Sequence, residues 1–300
     1  MVTAALAALA VLPAPAAPAR LAGQDVAALG ARLAARIART PHQGVGVYYR
    51  RLDRPDSLLR DADRRFHAAS TMKIPVLIQA FRDADAGTLR LDERWPVVNR
   101  FRSLVDGSPY ALDPADDSDS SLYARIGGTA TVRELLELMI TVSSNLATNI
   151  LIARLGAARV TATARALGAD SIAVLRGVED EKAYRAGRNN TTTARDLGVL
   201  LAAIARRRAA SPAACDSMLA ILGRQRFAEG IPAGLPPGAR VYHKTGWVPQ
   251  VVYHDAAYVE LPGGARYVLV VATGGIADDT AAYRLVADVS RLVAEAAGRR

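Results

Sequence analysis

The segment HAASTMKIPVL, residues 67–77, decides how this chain is read. After Ser70 the sequence is apolar at helical period, through Ile74, Leu77, Ile78 and Phe81. Pro75 lies near the start of that run, and proline is tolerated only in the first turn or so of a helix, so the spacing predicts a helix beginning close to Ser70. Ser70 and Lys73, three apart, then share a helix face, with a hydroxyl near an amine. Lys73 also stands out by type. Of 38 Lys plus Arg residues, only Lys73, Lys182 and Lys244 are lysine. Serine is a poor nucleophile until a base takes its proton. A lysine can serve if burial or a neighbouring cation lowers its pKa, whereas arginine keeps its proton.

Outward from this segment the pattern predicts the other elements. Val26 to Ile37 carries apolar residues at helical spacing, and GVGVYYRRL (44–52) alternates like a strand. Residues 103–128 form a polar, turn-rich insertion. Its Asp113, Asp116, Asp117 and Asp119 lack the Gly and terminal Glu of an EF-hand loop, so it reads as a solvated loop. Residues 129–157 are apolar almost all round, a buried helix interrupted by Ser143-Ser144-Asn145. Asn190 to Thr193 offers an N-cap to the helix that follows. ARVYHKTGW, VVYHDAAYVEL and ARYVLVVATGG, separated by Pro/Gly signals, read as consecutive antiparallel strands, and Asp278 to Ala297 returns to helix. The expected class is α/β of the α+β kind. A mixed lobe (about 25–67 and 220–300) carries the antiparallel sheet, and an all-helical lobe (about 68–219) is inserted into it. The junction of two lobes is a common place for chemistry.

Composition narrows the function. At 300 residues and 51% hydrophobic, the chain can bury one large core or two smaller ones. Its net charge of +9 would suit nucleic acid, but the arginines are scattered and aromatics are only 5%, so no nucleic-acid partner is expected. Cys215 is the only cysteine, which excludes an intramolecular disulfide and a Cys/His metal cluster; neither metal nor cofactor is expected. The N-terminus has an apolar run, Ala4 to Leu12, before Ala17-Pro18-Ala19. It reads as a secretory signal peptide over 1–19, although no Lys or Arg precedes the run. With no cysteine beside that site and no apolar stretch long enough to span a bilayer, a secreted or periplasmic protein without a membrane anchor is expected, as a monomer.

Two more elements carry chemistry. In His243-Lys244-Thr245-Gly246, between strand-like runs, Lys244 on a strand edge facing a cleft could bind a carboxylate, Thr245 adds a donor, and Gly246 allows close approach to the backbone. In Ser143-Ser144-Asn145, Ser143 can relay a proton and Asn145 can bind an amide. No G-x-S-x-G is present, and no H-x-H or H-E-x-x-H, which disfavours an α/β hydrolase and a zinc enzyme.

S-x-x-K, S-x-N and K-T-G in this order resemble the penicillin-recognising serine enzymes, most closely the class A β-lactamases, over about residues 25 to 298. The resemblance implies a β-lactamase/transpeptidase-like fold and a β-lactam substrate. Ser70 would attack the lactam carbonyl, Lys73 would act as base or proton shuttle, and Ser143 would pass a proton to the leaving nitrogen. The N–H groups of Ser70 and Trp247 would form an oxyanion hole, with Lys244 and Thr245 on the substrate carboxylate. A glutamate that activates water separates a lactamase from a penicillin-binding peptidase or esterase of the same fold. Here Glu179 is the candidate and Glu181 a competitor, in a loop reading GVEDEKAYRAG rather than the family's longer one. Ser144 replaces the usual Asp and is expected to face away from substrate. Trp247 follows K-T-G where smaller residues are usual, and His254-Asp255 lies where many members keep an arginine. Tyr110 and Tyr123 are both candidates to gate the site.

Overall fold

The computed structural model describes residues 22–299; the expected signal peptide lies outside them. Helix α1 (Ala22–Ala38) leads into strand β1 (Gly44–Arg51), which pairs with β2 (Ser57–Arg60). The chain then leaves the sheet to build α2 (Lys73–Asp85), α3 (Val132–Thr141), α4 (Asn145–Leu155), α5 (Ala157–Ala166), the short α6 (Glu181–Arg185), α7 (Ala194–Ala205) and α8 (Pro212–Leu222). It returns with β3 (Arg240–Val248), β4 (Val252–Glu260) and β5 (Arg266–Gly274), and closes with α9 (Asp279–Ala297). The sheet order is β2-β1-β5-β4-β3, antiparallel throughout, so K-T-G lies on an edge strand.

β4 is buried at every position but Glu260, because helices cover both faces of the sheet; this explains a continuous apolar run where a half-exposed strand would alternate. Side chains still alternate between two cores. Val47, Tyr49, Ala257, Val259, Leu269 and Val271 pack with Leu29, Leu33 and Ile37 of α1 and with the apolar stripe of α9. Tyr48, Ala256, Tyr258, Val268, Val270 and Ala272 face the other way and join the core of the helical segment. The cores therefore divide at the plane of the sheet. α7 lies against this inner face so closely that a Cβ at Gly198 would overlap the Tyr48 ring.

At the centre of the helical segment, α2 is buried without a break from Lys73 to Phe81. Its neighbours begin with side-chain caps. Thr131 forms a capping box with Glu134, Ser144 caps α4, and Thr193 caps α7, accepting from Asp196 N at 3.0 Å. Among the described residues no helix is long and apolar enough to cross a membrane.

Candidate active site

Ser70 lies in one turn of 3₁₀ helix, Ala69–Met72, that runs directly into α2. The turn is held by Thr71, whose hydroxyl donates to Ala68 O at 2.5 Å, and by the Ala69 N–H, which donates to His67 Nδ1 at 3.1 Å. Behind it, Lys73 is wholly buried. Its Nζ donates to Ser143 O (2.7 Å), Ser143 Oγ (3.1 Å) and Asn145 Oδ1 (2.9 Å). Ser70 Oγ is not among its partners. Burial pushes the Lys73 amine down to about 7, while Asp117 and Glu179 act to raise it.

Ser143 occupies the break between α3 and α4; Ser144, fully buried, caps α4 and points away from the site. Asn145, the first residue of α4, donates from Nδ2 to Glu179 Oε1 at 2.7 Å. Burial raises the Glu179 carboxyl to about 6. The Asn145 hydrogen bond opposes this, Asp117 and Asp116 add to it, and Lys73 opposes it. Ala69 (φ 45°), Ser143 (φ 59°) and Glu179 (φ 60°) are half of the six non-glycine residues with positive φ among those described. Left-handed backbone at β-carbon-bearing residues is held only where the surroundings over-determine it, and here it converges on Ser70.

The structure does not leave Lys244 facing an open cleft. It is fully buried, and its Nζ donates to Ser143 Oγ (3.1 Å) and Thr245 O (2.9 Å). The reason lies two residues on. A Cβ at Gly246 would stand 3.0 Å from Thr71 N and 3.2 Å from Ala68 O, so β3 lies hard against the turn that carries Ser70 and encloses the amine. Burial first, and then Lys73, holds the Lys244 amine well below its ordinary range.

Two cavities meet at Ser70. One, of about 250 Å³, is lined by Ser70, Asn145, Glu179, Glu181 and Tyr184; the other, of about 340 Å³, has Ser70, Ser143 and Thr245 in its wall. Trp247, 48% exposed, lines both. Glu181 reaches the first cavity but pairs with Arg185 at 2.9 Å on the surface, whereas Glu179 is tied to Asn145.

The loop bearing Glu179 is fixed from three sides. Arg176 donates to Gly177 O, Arg188 O and Asn189 Oδ1. Asn190 accepts from Leu175 N and Arg176 N and donates to Arg176 O. Asn149 clamps Val178, accepting from its N–H at 2.6 Å and donating to its carbonyl at 3.0 Å; a Cβ at Gly177 would collide with the Asn149 amide.

Two further expectations are corrected, and the place of His254-Asp255 is explained. Asp117 does not belong to a merely solvated loop. Its carboxylate accepts from Asn145 N and Leu146 N, all at 2.9 Å, at the positive end of α4, so an orphan pair of helix donors draws it in. Neither tyrosine gates the site. Tyr123 donates to Asp117 at 3.0 Å, and Tyr110 lies behind the loop, 3.4 Å from Val178 O. His254 and Asp255 are wholly buried. His254 Nδ1 accepts from Thr273 N, so Nε2 carries the proton and donates to His67 O at 2.9 Å; burial pushes this imidazole down to about 4. Asp255 accepts from Ile231 N and faces His243 Nδ1 at 2.9 Å. Asp117 and Asn149 are the residues that sequence reasoning missed. The only signal for either was a polar side chain near a helix start or in a buried helix.

A hydroxyl, two buried amines, a carboxylate and an amide joined around one serine match an acyl-transfer site, and the family model of the β-lactamase enzyme family matches residues 28–297. The chain belongs to that family. A β-lactamase from Streptomyces fradiae is 30% identical over 303 residues, 97% of this chain and 93% of that one. Among solved structures, an ancestral (GNCA) class A β-lactamase superposes with a TM-score of 0.78 at 28% identity, covering 89% of this chain and 99% of that one. PBP-A superposes with a TM-score of 0.76 at 33% identity, covering 90% and 95%. This β-lactamase thus has the fold and the class A affinity that its motifs suggested.

Proposed function

We propose that this class A β-lactamase hydrolyses the amide bond of β-lactam antibiotics through an acyl-enzyme on Ser70. The observation that carries the reading is the hydrogen-bonded chain Glu179–Asn145–Lys73–Ser143, which runs beside Ser70 and ends on Lys244.

Acylation uses Lys73 in its neutral form, which an amine near 7 supplies at neutral pH. It takes the Ser70 proton as Oγ attacks the lactam carbonyl carbon. The C–N bond breaks, and the nitrogen receives a proton from Ser143 Oγ, which is replenished from Lys73. The carbonyl oxygen, negative in the transition state, is received by the N–H groups of Ser70 and Trp247; the close seat of Gly246 on Thr71 sets these two segments together. Ser143 and Thr245, in the cavity wall, receive the substrate carboxylate, and Lys244, enclosed behind them, acts on it through its bond to Ser143 Oγ.

Deacylation uses Glu179. As a carboxylate it takes a proton from a water molecule in the cavity it shares with Ser70; the hydroxide attacks the ester, and Ser70 Oγ leaves with the proton. The apolar run Ala4 to Leu12 and the Ala17-Pro18-Ala19 site support export, with the reaction in the periplasm or medium.

The test is nitrocefin hydrolysis with intact-mass spectrometry. Wild type turns over; Ser70→Ala is neither acylated nor active; Glu179→Gln forms an adduct that persists. A wild-type adduct that accumulates without turnover would overturn the proposal in favour of a penicillin-binding peptidase.

A further inference from the structure

The cavity that Ser70 shares with Ser143 and Thr245 has an unusual far wall. It is built from four aromatic side chains, Phe227, Trp247, Tyr253 and Tyr283, and one acid, Glu229. Among the described residues no lysine or arginine lines it. Trp247 and Tyr253 sit directly opposite each other on β3 and β4, so their side chains leave the same face of the sheet. The Tyr253 and Tyr283 rings meet edge to face with centroids 4.5 Å apart. Tyr253 is almost wholly buried, and its hydroxyl has no hydrogen-bond partner among the described residues.

Glu229 supplies the sign. It is exposed and has no ion-pair partner among the described residues, and its charge helps to raise the phenols of both Tyr253 and Tyr283. In both tyrosines desolvation by burial is the larger cause. Aromatic walls present negative ring faces, and a carboxylate at the rim adds net charge, so the compartment favours a cation with apolar substituents and disfavours a second anion. His254-Asp255, where many relatives keep an arginine, is turned into the protein interior and adds no positive charge here.

We propose that the aromatic and acidic compartment formed by Phe227, Trp247, Tyr253, Tyr283 and Glu229 binds an organic cation, selecting β-lactams that carry a cationic substituent beside their carboxylate. This rests on the proposed hydrolysis for its kinetic consequence but not for its binding one. In a bicyclic β-lactam the carboxylate and the fused-ring substituent leave neighbouring atoms. With the carboxylate at Ser143 and Thr245 and the carbonyl at Ser70, the substituent points along the cavity to the aromatic wall. A quaternary ammonium or pyridinium there lies over the rings and within reach of Glu229, while the other cavity takes the acyl side chain.

Two measurements decide this. The first is the ratio of kcat/KM for two cephalosporins with one acyl side chain, one bearing a pyridiniomethyl group next to the carboxylate and the other an acetoxymethyl group. Intrinsic reactivity cancels when that ratio is compared between variants. It is expected to fall about two- to fivefold in Glu229→Gln and in Tyr283→Leu; a ratio unchanged in both overturns the proposal. The second needs no catalysis. Benzyltrimethylammonium chloride, titrated against sodium chloride at matched ionic strength, is expected to quench tryptophan fluorescence saturably in wild type. The signal should vanish in Trp247→Phe, since the other tryptophan, Trp95, is buried away from this cavity. Quenching no greater than that by sodium chloride overturns the proposal. If neither cephalosporin is hydrolysed, the proposed hydrolysis fails, and the titration alone still decides whether the compartment takes a cation.

Discussion

Lys73 and Lys244 converge on one atom: each buried ammonium nitrogen stands 3.1 Å from Ser143 Oγ. Burial lowers both amines, and the charge of Lys73 lowers Lys244 further, so the pair disfavours two ammonium ions at one oxygen. Ser143 is thus the shared acceptor of the pair as well as the proposed proton relay.

Ser143→Ala removes that acceptor and the relay together. The expected loss in kcat/KM is about 10²- to 10⁴-fold, with a loss of folding stability of about 1–3 kcal/mol from the unsatisfied buried donors. Ser143→Gly should be equally inactive but about 1 kcal/mol more stable than the alanine variant, because glycine relieves the φ of 59°. Equal urea-denaturation midpoints for the two variants would show that the backbone here is not strained.

Glu179→Gln separates activity from stability. The carboxylate, raised to about 6 mainly by burial, must be ionised to activate water, so turnover is lost as pH falls through about 6. For an acid with a raised folded pKa, the folded state binds more protons than the unfolded state between about 4.5 and 6, so its contribution to stability declines as pH rises through that window. Glutamine keeps the Asn145 hydrogen bond without the buried charge. The variant should therefore melt higher than wild type at pH 7.5 and level with it at pH 4. A lower melting temperature at pH 7.5 would contradict the assignment of burial as the cause.

The fold was largely legible because its signals are periodic. The β-branched runs after Arg240, the helical period after Ser70 and the Thr193 cap each follow from neighbours in sequence. Strand β2 and helices α5 and α8 escaped because Ser57–Arg60 is too short to show a period and the others carry weak, alanine-rich patterns. In the site, residue types at short spacing could be read, and the structure joins Lys73 to Ser143 and Asn145, and Lys244 to Ser143, by hydrogen bonds. The partnerships of Asp117 and Asn149 could not be read, since each acts on a segment 28 or 29 residues away. Nor could the burial of Lys244, which depends on how closely Gly246 approaches Thr71.

Asp117→Asn tests the loop acid. Its carboxylate raises both the Lys73 amine and the Glu179 carboxyl, so its loss should lower both. Acylation needs neutral Lys73 and deacylation needs ionised Glu179, so the acid limbs of kcat/KM and of kcat should both move to lower pH. Loss of the anion at the start of α4 should cost about 0.3–1 kcal/mol of stability. Limbs that stay in place or move upward would remove Asp117 from the electrostatics of the site.

Asn149→Ala tests whether the clamp on Val178 serves deacylation alone. Asn149 accepts from Val178 N and donates to Val178 O, one residue before Glu179, and touches neither Ser70 nor Lys73 in any hydrogen bond among the described residues. Removing it withdraws both bonds, about 2 kcal/mol of local stabilisation, and opens space beside Gly177. Glu179 then keeps its bond to Asn145 and the anchor of Asp180 on Ser103 and Leu104, but the segment before it loses its hold. Acylation, which depends on Lys73 and Ser143, should persist, while ester hydrolysis slows as the carboxylate loses its fixed place. A stopped-flow burst of nitrocefin near wild-type amplitude, a depressed steady state and an intact-mass adduct are the expected signature. Asn149→Asp keeps the acceptor for Val178 N but not the donor, so its steady state should fall between the two. If Asn149→Ala loses the burst as well, the clamp supports the whole site, and its role is not confined to positioning Glu179.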